Sequence, residues 1–360
     1  MAFGRWYATA TTLPDGTVLA TSGLDEFNEI VLEPELYDPV LNQWSSLPQA
    51  SLVAGIDEVD YPYMFVLPDG NLVNAGPADT RLLLSPGFTW GALVDDPANS
   101  PRPGYHGSAA MFAPGRIVRC GGEPQGNAST WVLDLSSYDP QSPPSWLAAS
   151  SMNIPRQNHN LVVLPDGTVL AVGGCASDFD TNPVLQPEIF NPAGNTWTLQ
   201  PTMDPLRPRP YHSTAILLPD GRVVVGGGFS SSAFSGQIFK PPYIIDSTNR
   251  PVIIGAPTTM EYGLQPYDIQ YLINGGKTVT AACLMRLGSV THGFDQDQRR
   301  VPLTIGASTT ISGDLRQVTV KSPDNGNIAP PGYYMLFIMY EREVNEWAPC
   351  EMAAYVRVGS

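Results

Sequence analysis

The tetrapeptide Leu-Pro-Asp-Gly recurs at Leu13–Gly16, Leu67–Gly70, Leu164–Gly167 and Leu218–Gly221, with a worn copy at Ala113-Pro114-Gly115-Arg116. The turn glycines Gly16, Gly70, Gly115, Gly167 and Gly221 stand 54, 45, 52 and 54 residues apart. Each copy lies between two β-rich runs, such as Thr214–Leu218 before the turn and Arg222–Val225 after it. Gly supplies the positive φ that a tight hairpin needs. The second run ends on a glycine pair or its remnant: Ser22-Gly23, Ala75-Gly76, Gly121-Gly122, Gly173-Gly174 and Gly226-Gly227. Glycine there allows close backbone approach. A unit of this size cannot bury its apolar face alone, so copies must pack side by side.

A period of about 50 residues is the kelch length. It predicts an all-β chain with a kelch-type β-propeller of five recognisable blades over residues 1–245. Outer aromatics close each four-stranded unit, as in Tyr37-Asp38-Pro39 with Trp44 and Phe190-Asn191-Pro192 with Trp197. The 36 Pro and 34 Gly leave no long stretch of helical period. Repeats stop near Lys240, and the Pro- and Thr-rich stretch Pro241–Met260 reads as a boundary. Beyond it, strands are predicted at Asp268–Ile273, Thr278–Arg286, Gln317–Val320, Tyr333–Tyr340 and Ala353–Val358. Turns at Asn274-Gly275-Gly276 and Ser312-Gly313-Asp314 separate them. This spacing predicts an Ig-like β-sandwich over residues 246–360.

The formal charge of −15 with only three lysines (Lys240, Lys277, Lys321) repels nucleic acid and acidic membrane faces, so neither is an expected partner. Cys120, Cys175, Cys283 and Cys350 show no CxxC spacing, which speaks against a disulfide scaffold or a zinc ribbon. There is no 18-residue apolar run and no signal-peptide pattern.

Counting nine residues back from each turn glycine reaches the same position in every blade: Tyr7, Tyr61, His106, Asn158 and His212. In a propeller, the innermost strands flank the central channel, so these positions converge on its axis. The chain has four histidines; His106 and His212 stand in this ring and His159 beside it. Tyr211 precedes His212 on the same strand. Phenolate oxygens with imidazoles form an N,O ligand set suited to Cu(II), whereas the same side chains could also simply plug the channel. The fourth histidine, His292, lies in the polar stretch Leu287–Leu303 between two strand runs, a pattern open to a working hairpin or a solvated loop.

Two longer motifs resemble the galactose oxidase and glyoxal oxidase family of copper-radical oxidases. One is Leu206-Arg207-Pro208-Arg209-Pro210-Tyr211-His212-Ser213 followed by Leu217–Val223; the other is the His292 loop with its tail Asp297-Gln298-Arg299-Arg300-Val301-Pro302-Leu303. Pro330–Phe337 and Gly4-Arg5-Trp6-Tyr7 support the likeness, which covers nearly the whole chain. The resemblance implies that Tyr7 is the equatorial tyrosine that becomes a radical and that Tyr211 is the axial tyrosine that acts as base. It implies His212 and His292 as the two copper imidazoles. The implied cofactor is copper, and the implied reaction oxidises an aldehyde or primary alcohol, or a carbohydrate, with O2 to give H2O2. An extracellular location follows from the same likeness.

Three departures shape further expectations. The family's equatorial tyrosine is joined by a thioether to a cysteine upstream of it, and six residues precede Tyr7. Family propellers carry more blades than the five counted here, so a partial, open or strained ring is expected, in a truncated or weakly active form. The aromatic that stacks over the thioether in galactose oxidase falls near Leu24-Asp25, so that stack is expected to be lost. A different class of function also fits the pattern: a non-catalytic kelch propeller that binds a glycan or protein partner.

Overall fold

The computed structural model describes residues 1–51, 60–77, 80–85, 87–93, 106–123, 127–137, 145–177, 181–228, 234–245, 249–344 and 346–359. The repeats form five antiparallel sheets arranged as blades. Blade 1 runs Thr9–Thr12, Val18–Thr21, Glu35–Asp38 and Gln43–Ser46 from the axis outward. Blade 2 runs Met64–Val66, Leu72–Asn74, Arg81–Leu84 and Thr89–Leu93. Blade 3 is Ser108–Ala113, Arg116–Cys120, Thr130–Asp134 and Leu147–Ala149. Blade 4 is Asn160–Val163, Val169–Val172, Glu188–Asn191 and Thr196–Leu199, with a small hairpin of Cys175–Ser177 and Thr181–Pro183 inserted. Blade 5 shows three strands among the described residues: Ser213–Leu217, Val223–Gly227 and Gly236–Phe239. The one described α-helix is Pro242–Ile245, and no described helix is long and apolar enough to cross a membrane.

Every Leu-Pro-Asp-Gly copy closes its inner hairpin in the same way. The glycine N–H donates to the leucine carbonyl, at 2.9–3.0 Å for Gly16, Gly70, Gly167 and Gly221. The aspartate Oδ1 accepts the N–H two residues on, as in Thr168 to Asp166 at 3.0 Å. The paired glycines answer a different need. A Cβ on Gly173 would stand 2.5 Å from the Arg209 carbonyl oxygen of the next blade, and one on Gly174 would collide with the Gln157 carbonyl.

Beyond the propeller, two sheets face each other as the predicted sandwich. One carries Val252–Gly255, Pro266–Leu272, Leu315–Lys321 and Thr309–Ser312. The other carries Thr259–Met260, Ala354–Val358, Gly332–Glu343, Val279–Arg286 and Arg300–Pro302, with Glu346–Pro349 on the long strand. The strands at Val252–Gly255 and Thr259–Met260 put half of the expected boundary stretch inside the sandwich, while the division at 245/246 touches residues 246–248, which lie outside the described residues. The alternation Ile269, Tyr271 and Val318, Val320 turns one face of the first sheet inward, and all four are fully buried. The run Met335–Tyr340 is buried at every position, as a strand covered on both faces must be. A single apolar cluster extends from Val118, Leu170 and Val223 of blades 3–5 into Leu284 and Phe337 of the sandwich.

The hairpin turns form the seat of the second domain. The Pro68 carbonyl accepts from Asn327 Nδ2 (3.2 Å), Pro165 from Arg300 Nε (2.9 Å) and Pro219 from the Ala353 N–H (2.7 Å). At Pro14 the partner is the backbone of Gly326, where any Cβ would collide with the proline carbonyl. Seat and ring are thus the two ends of the same inner strands, nine residues apart.

Candidate metal centre

At the ring end of the strands, one backbone conformation repeats. Tyr7 (φ 68°), Tyr61 (49°), His106 (80°), Asn158 (57°) and His212 (63°) all lie in the left-handed region. L-residues with a Cβ adopt it at a cost of about 1–2 kcal/mol each. Neighbouring segments hold them there: the Tyr61 N–H donates to the Tyr7 carbonyl (2.9 Å) and the Asn158 N–H to that of His106 (2.7 Å). Buried ion pairs brace the approach. Arg5 Nε meets Glu35 Oε2 at 3.0 Å just before Tyr7, and Arg156 meets Glu188 Oε1 at 2.7 Å just before Asn158. Both pairs are shielded from solvent, and each guanidinium also donates to backbone carbonyls, which offsets desolvation.

His292 arrives from the second domain. The strands Val290–Thr291 and Phe294–Asp295 form a two-residue hairpin with His292 (φ 50°) and Gly293 (φ 81°) as its central pair. Positive φ at both is the type I′ signature. The hairpin and its tail are fastened to blade after blade. Gln296 Oε1 accepts the Ala10 N–H of blade 1 (3.0 Å), and Arg299 donates to the Val66 carbonyl of blade 2 (2.7 Å). Ser108 of blade 3 donates to the Gly293 carbonyl at 2.5 Å. Gln298 clasps both backbone groups of Val163 in blade 4, at 2.8 and 3.1 Å. The Asp295 carboxylate gathers the N–H groups of Ser289, Asp297 and Gln298. Phe294 is fully buried against Tyr63, with ring centroids 4.7 Å apart.

These elements bring the four expected donors together. His212 Nε2 and His292 Nε2 are 3.0 Å apart, and Tyr7 Oη and Tyr211 Oη are 3.4 Å apart. The His292 ring lies 4.6 Å from that of Tyr7 and 5.5 Å from that of Tyr211. Tyr211 stacks on His212 at 3.8 Å. Among the described residues, no three His, Cys, Asp or Glu side chains cluster as a ligand set, so this pocket depends on its phenols. The donor set fits a tetragonal metal. Two imidazole nitrogens at right angles on one ion, each at about 2.0–2.1 Å, lie about 3 Å apart. Burial, with the charges of His212 and His106, lowers the His292 pKa to about 4, so its nitrogen is a free lone pair at neutral pH. Burial foremost, then the hydrogen bond shared with Tyr7, raises the Tyr211 pKa far above the ordinary phenol value; a bound dication reverses this preference.

The other ring members line the pocket. Tyr61 stacks on both Tyr7 (4.8 Å) and His292 (4.7 Å). His106 stands edge-on to Tyr211 at 6.3 Å, with its Nε2 3.7 Å from Glu123. Burial lowers the His106 pKa despite Glu123 and Asp60. His159 is fully buried and engages Cys120 Sγ through Nε2 at 3.3 Å; burial, then Arg156, lowers its pKa to about 3. One expectation is corrected. The aromatic stack on Tyr7 is present, made by Trp6 at 3.7 Å and 25°. Leu24 contributes no ring but pairs its backbone with Trp6 in both directions, at 2.6 and 2.8 Å, which holds the indole in place. Sequence spacing missed Trp6, Tyr61 as a stacking partner, and Glu123.

Residues 250–349 match the family model "galactose oxidase-like, early set domain", and residues 136–242 match "glyoxal oxidase N-terminus". An aldehyde oxidase GLOX of Vitis pseudoreticulata is 30% identical over 93% of this chain and 69% of its own length. The chain belongs to the galactose oxidase and glyoxal oxidase family of copper-radical oxidases. Galactose oxidase of Gibberella zeae is 29% identical over 94% of the chain, and the chain spans about half, 53%, of that relative's length. The fold matches a fungal alcohol oxidase of the AA5 family solved in complex with copper, at a TM-score of 0.82 and 26% identity. That match covers 100% of this chain and 77% of the other.

Proposed function

We propose that this chain is a copper-radical oxidase that oxidises an aldehyde or a primary alcohol with O2 and releases H2O2. Residues 1–245 would form its propeller and 246–360 its Ig-like domain. The observation that carries the reading is the convergence of two phenol oxygens and two imidazole nitrogens at one end of the propeller axis.

His212 and His292 would hold the copper through their imidazole nitrogens, together with the phenol oxygens of Tyr7 and Tyr211. Copper, when bound, supplies the one-electron acceptor that works with Tyr7 and the route by which both electrons reach O2. Tyr211 as phenolate would take the hydroxyl proton of the alcohol, or of the hydrated aldehyde. Tyr7 in its oxidised form would take a hydrogen atom from the same carbon. The Trp6 and Tyr61 rings stack against Tyr7 and fix its plane. The substrate would be a small molecule, a carbohydrate included, and the setting extracellular, as in the family resemblance.

The test is peroxide release from glyoxal, methylglyoxal and galactose by the copper-loaded chain. The 360-residue chain is expected to bind copper yet turn over slowly. Its Cys120 and Cys283 sulfurs are buried against His159 and the Pro165 carbonyl. Binding of copper with no peroxide from any aldehyde or alcohol would refute the oxidase reading, and absence of copper binding would refute it at its root.

A further inference from the structure

His292 meets the pocket through Nε2, so something must govern its other ring nitrogen. Nδ1 lies 2.7 Å from the hydroxyl of Thr291. The Thr291 hydroxyl is in turn hydrogen-bonded to Tyr61. The Tyr61 ring lies nearly parallel to the His292 imidazole, 4.7 Å away at 25°. Tyr61 therefore holds His292 in two ways, by its face and, through Thr291, by its hydroxyl. The arrangement joins the two domains, because Tyr61 is the ring residue of blade 2 and Thr291 belongs to the second-domain hairpin. Both His292 (φ 50°) and Tyr61 (φ 49°) sit in left-handed backbone, which leaves each side chain a single direction of approach.

We propose that Thr291 and Tyr61 are positioning residues: Thr291 accepts the Nδ1–H of His292 and donates to the Tyr61 oxygen, which fixes the tautomer whose Nε2 lone pair faces the pocket. This rests on the reading of His292 as a copper ligand. The physical need is general. An imidazole ligand binds through a neutral nitrogen, and the partner of its other nitrogen selects which one that is. Without Thr291 the ring could carry its proton on Nε2, hydrogen-bond to His212 Nε2 3.0 Å away, and so close the pocket to a metal.

The experiment measures Cu(II) affinity of the folded full chain by competition with a chelator, for wild type, Thr291→Val, Thr291→Ser and Tyr61→Phe. Circular dichroism confirms that each variant folds. The Thr291→Val variant is expected to lose about 10–100-fold in affinity, the range for removing an outer partner of a metal-bound histidine. Thr291→Ser should restore it, which a purely steric role of the threonine methyl would not. Tyr61→Phe keeps the stacked face and loses the hydroxyl, so its loss should be smaller than that of Thr291→Val. In parallel, nitrogen NMR of the metal-free wild type should show His292 protonated at Nδ1. That readout needs no variant and survives any folding defect. Copper bound by wild type and Thr291→Val with equal affinity, or His292 protonated at Nε2, would overturn the positioning role and leave the oxidase reading standing. A wild-type chain that takes up no Cu(II) would overturn both.

Discussion

The two ends of the inner strands obey one repeat and use it oppositely. At the turn end, sequence and task are both constant: Leu-Pro-Asp-Gly closes a hairpin and offers a carbonyl to the second domain from Pro68, Pro165 and Pro219. At the ring end, the backbone is constant and the side chains are not. Tyr7, Tyr61, His106, Asn158 and His212 share left-handed φ values but differ in chemistry. A repeat therefore fixes where a side chain points and leaves its identity free. Where a function needs a donor that the repeat does not provide, as with His292, a non-repeating hairpin must be fastened separately to the blades.

The comparison breaks most visibly at the ring end. Removal of His212 or His292, each to alanine, is expected to lower Cu(II) affinity by more than about 100-fold, beyond what loss of an outer partner causes. Unfolding midpoints should change little for His212, which is exposed. A chelator titration beside a denaturant melt reads both quantities.

At the turn end the pattern should invert. Gly326→Ala drives a Cβ into the Pro14 carbonyl, and overpacking of this kind costs about 1–3 kcal/mol. Denaturant unfolding should show that loss, while the folded fraction binds copper as wild type does. A tenfold drop in copper affinity with unchanged stability would show that the two ends are not separable.

How much of this was legible depends on distance along the chain. The spacing of the turn glycines yielded the blades and, nine residues back, the positions of Tyr7 and His212, with Tyr211 beside the latter. His292 had no period to reveal it and was reached through the resemblance of its loop. The seat on the turn carbonyls was not readable, because its donors Arg300, Asn327 and Ala353 lie 134 to 259 residues away from them and follow no repeat; Asn327 and Pro68 alone are separated by 259 positions. Trp6 was hidden for a subtler reason. Its neighbour in sequence is the very residue on which it stacks, and only the left-handed backbone at Tyr7 brings the two rings face to face.

A smaller effect sharpens the claim that the ring is a backbone device. Asn158 tolerates positive φ better than a β-branched residue. Asn158→Val should therefore be less stable than Asn158→Gly by about 1–2 kcal/mol. Equal stability of the two variants in urea would show that the left-handed conformation carries no cost.

The metal-free chain should also respond to pH. His292, at about 4, and His159, at about 3, are both lowered relative to an unfolded histidine near 6.5. The unfolded chain thus binds more protons between those values, so stability falls as pH drops from about 6.5 towards 4 and below. His159→Gln should flatten this slope in acid unfolding curves, and an unchanged slope would assign the acid sensitivity to other groups.

We propose one copper ion between a repeat-derived histidine, His212, and a hairpin-derived one, His292. Electron paramagnetic resonance of the Cu(II)-loaded chain tests it directly. Hyperfine structure from two imidazole nitrogens is expected in wild type, reduced to one in both His212→Ala and His292→Ala where copper is retained at high concentration. A wild-type spectrum with no imidazole coupling, or one that either substitution leaves untouched, would contradict it.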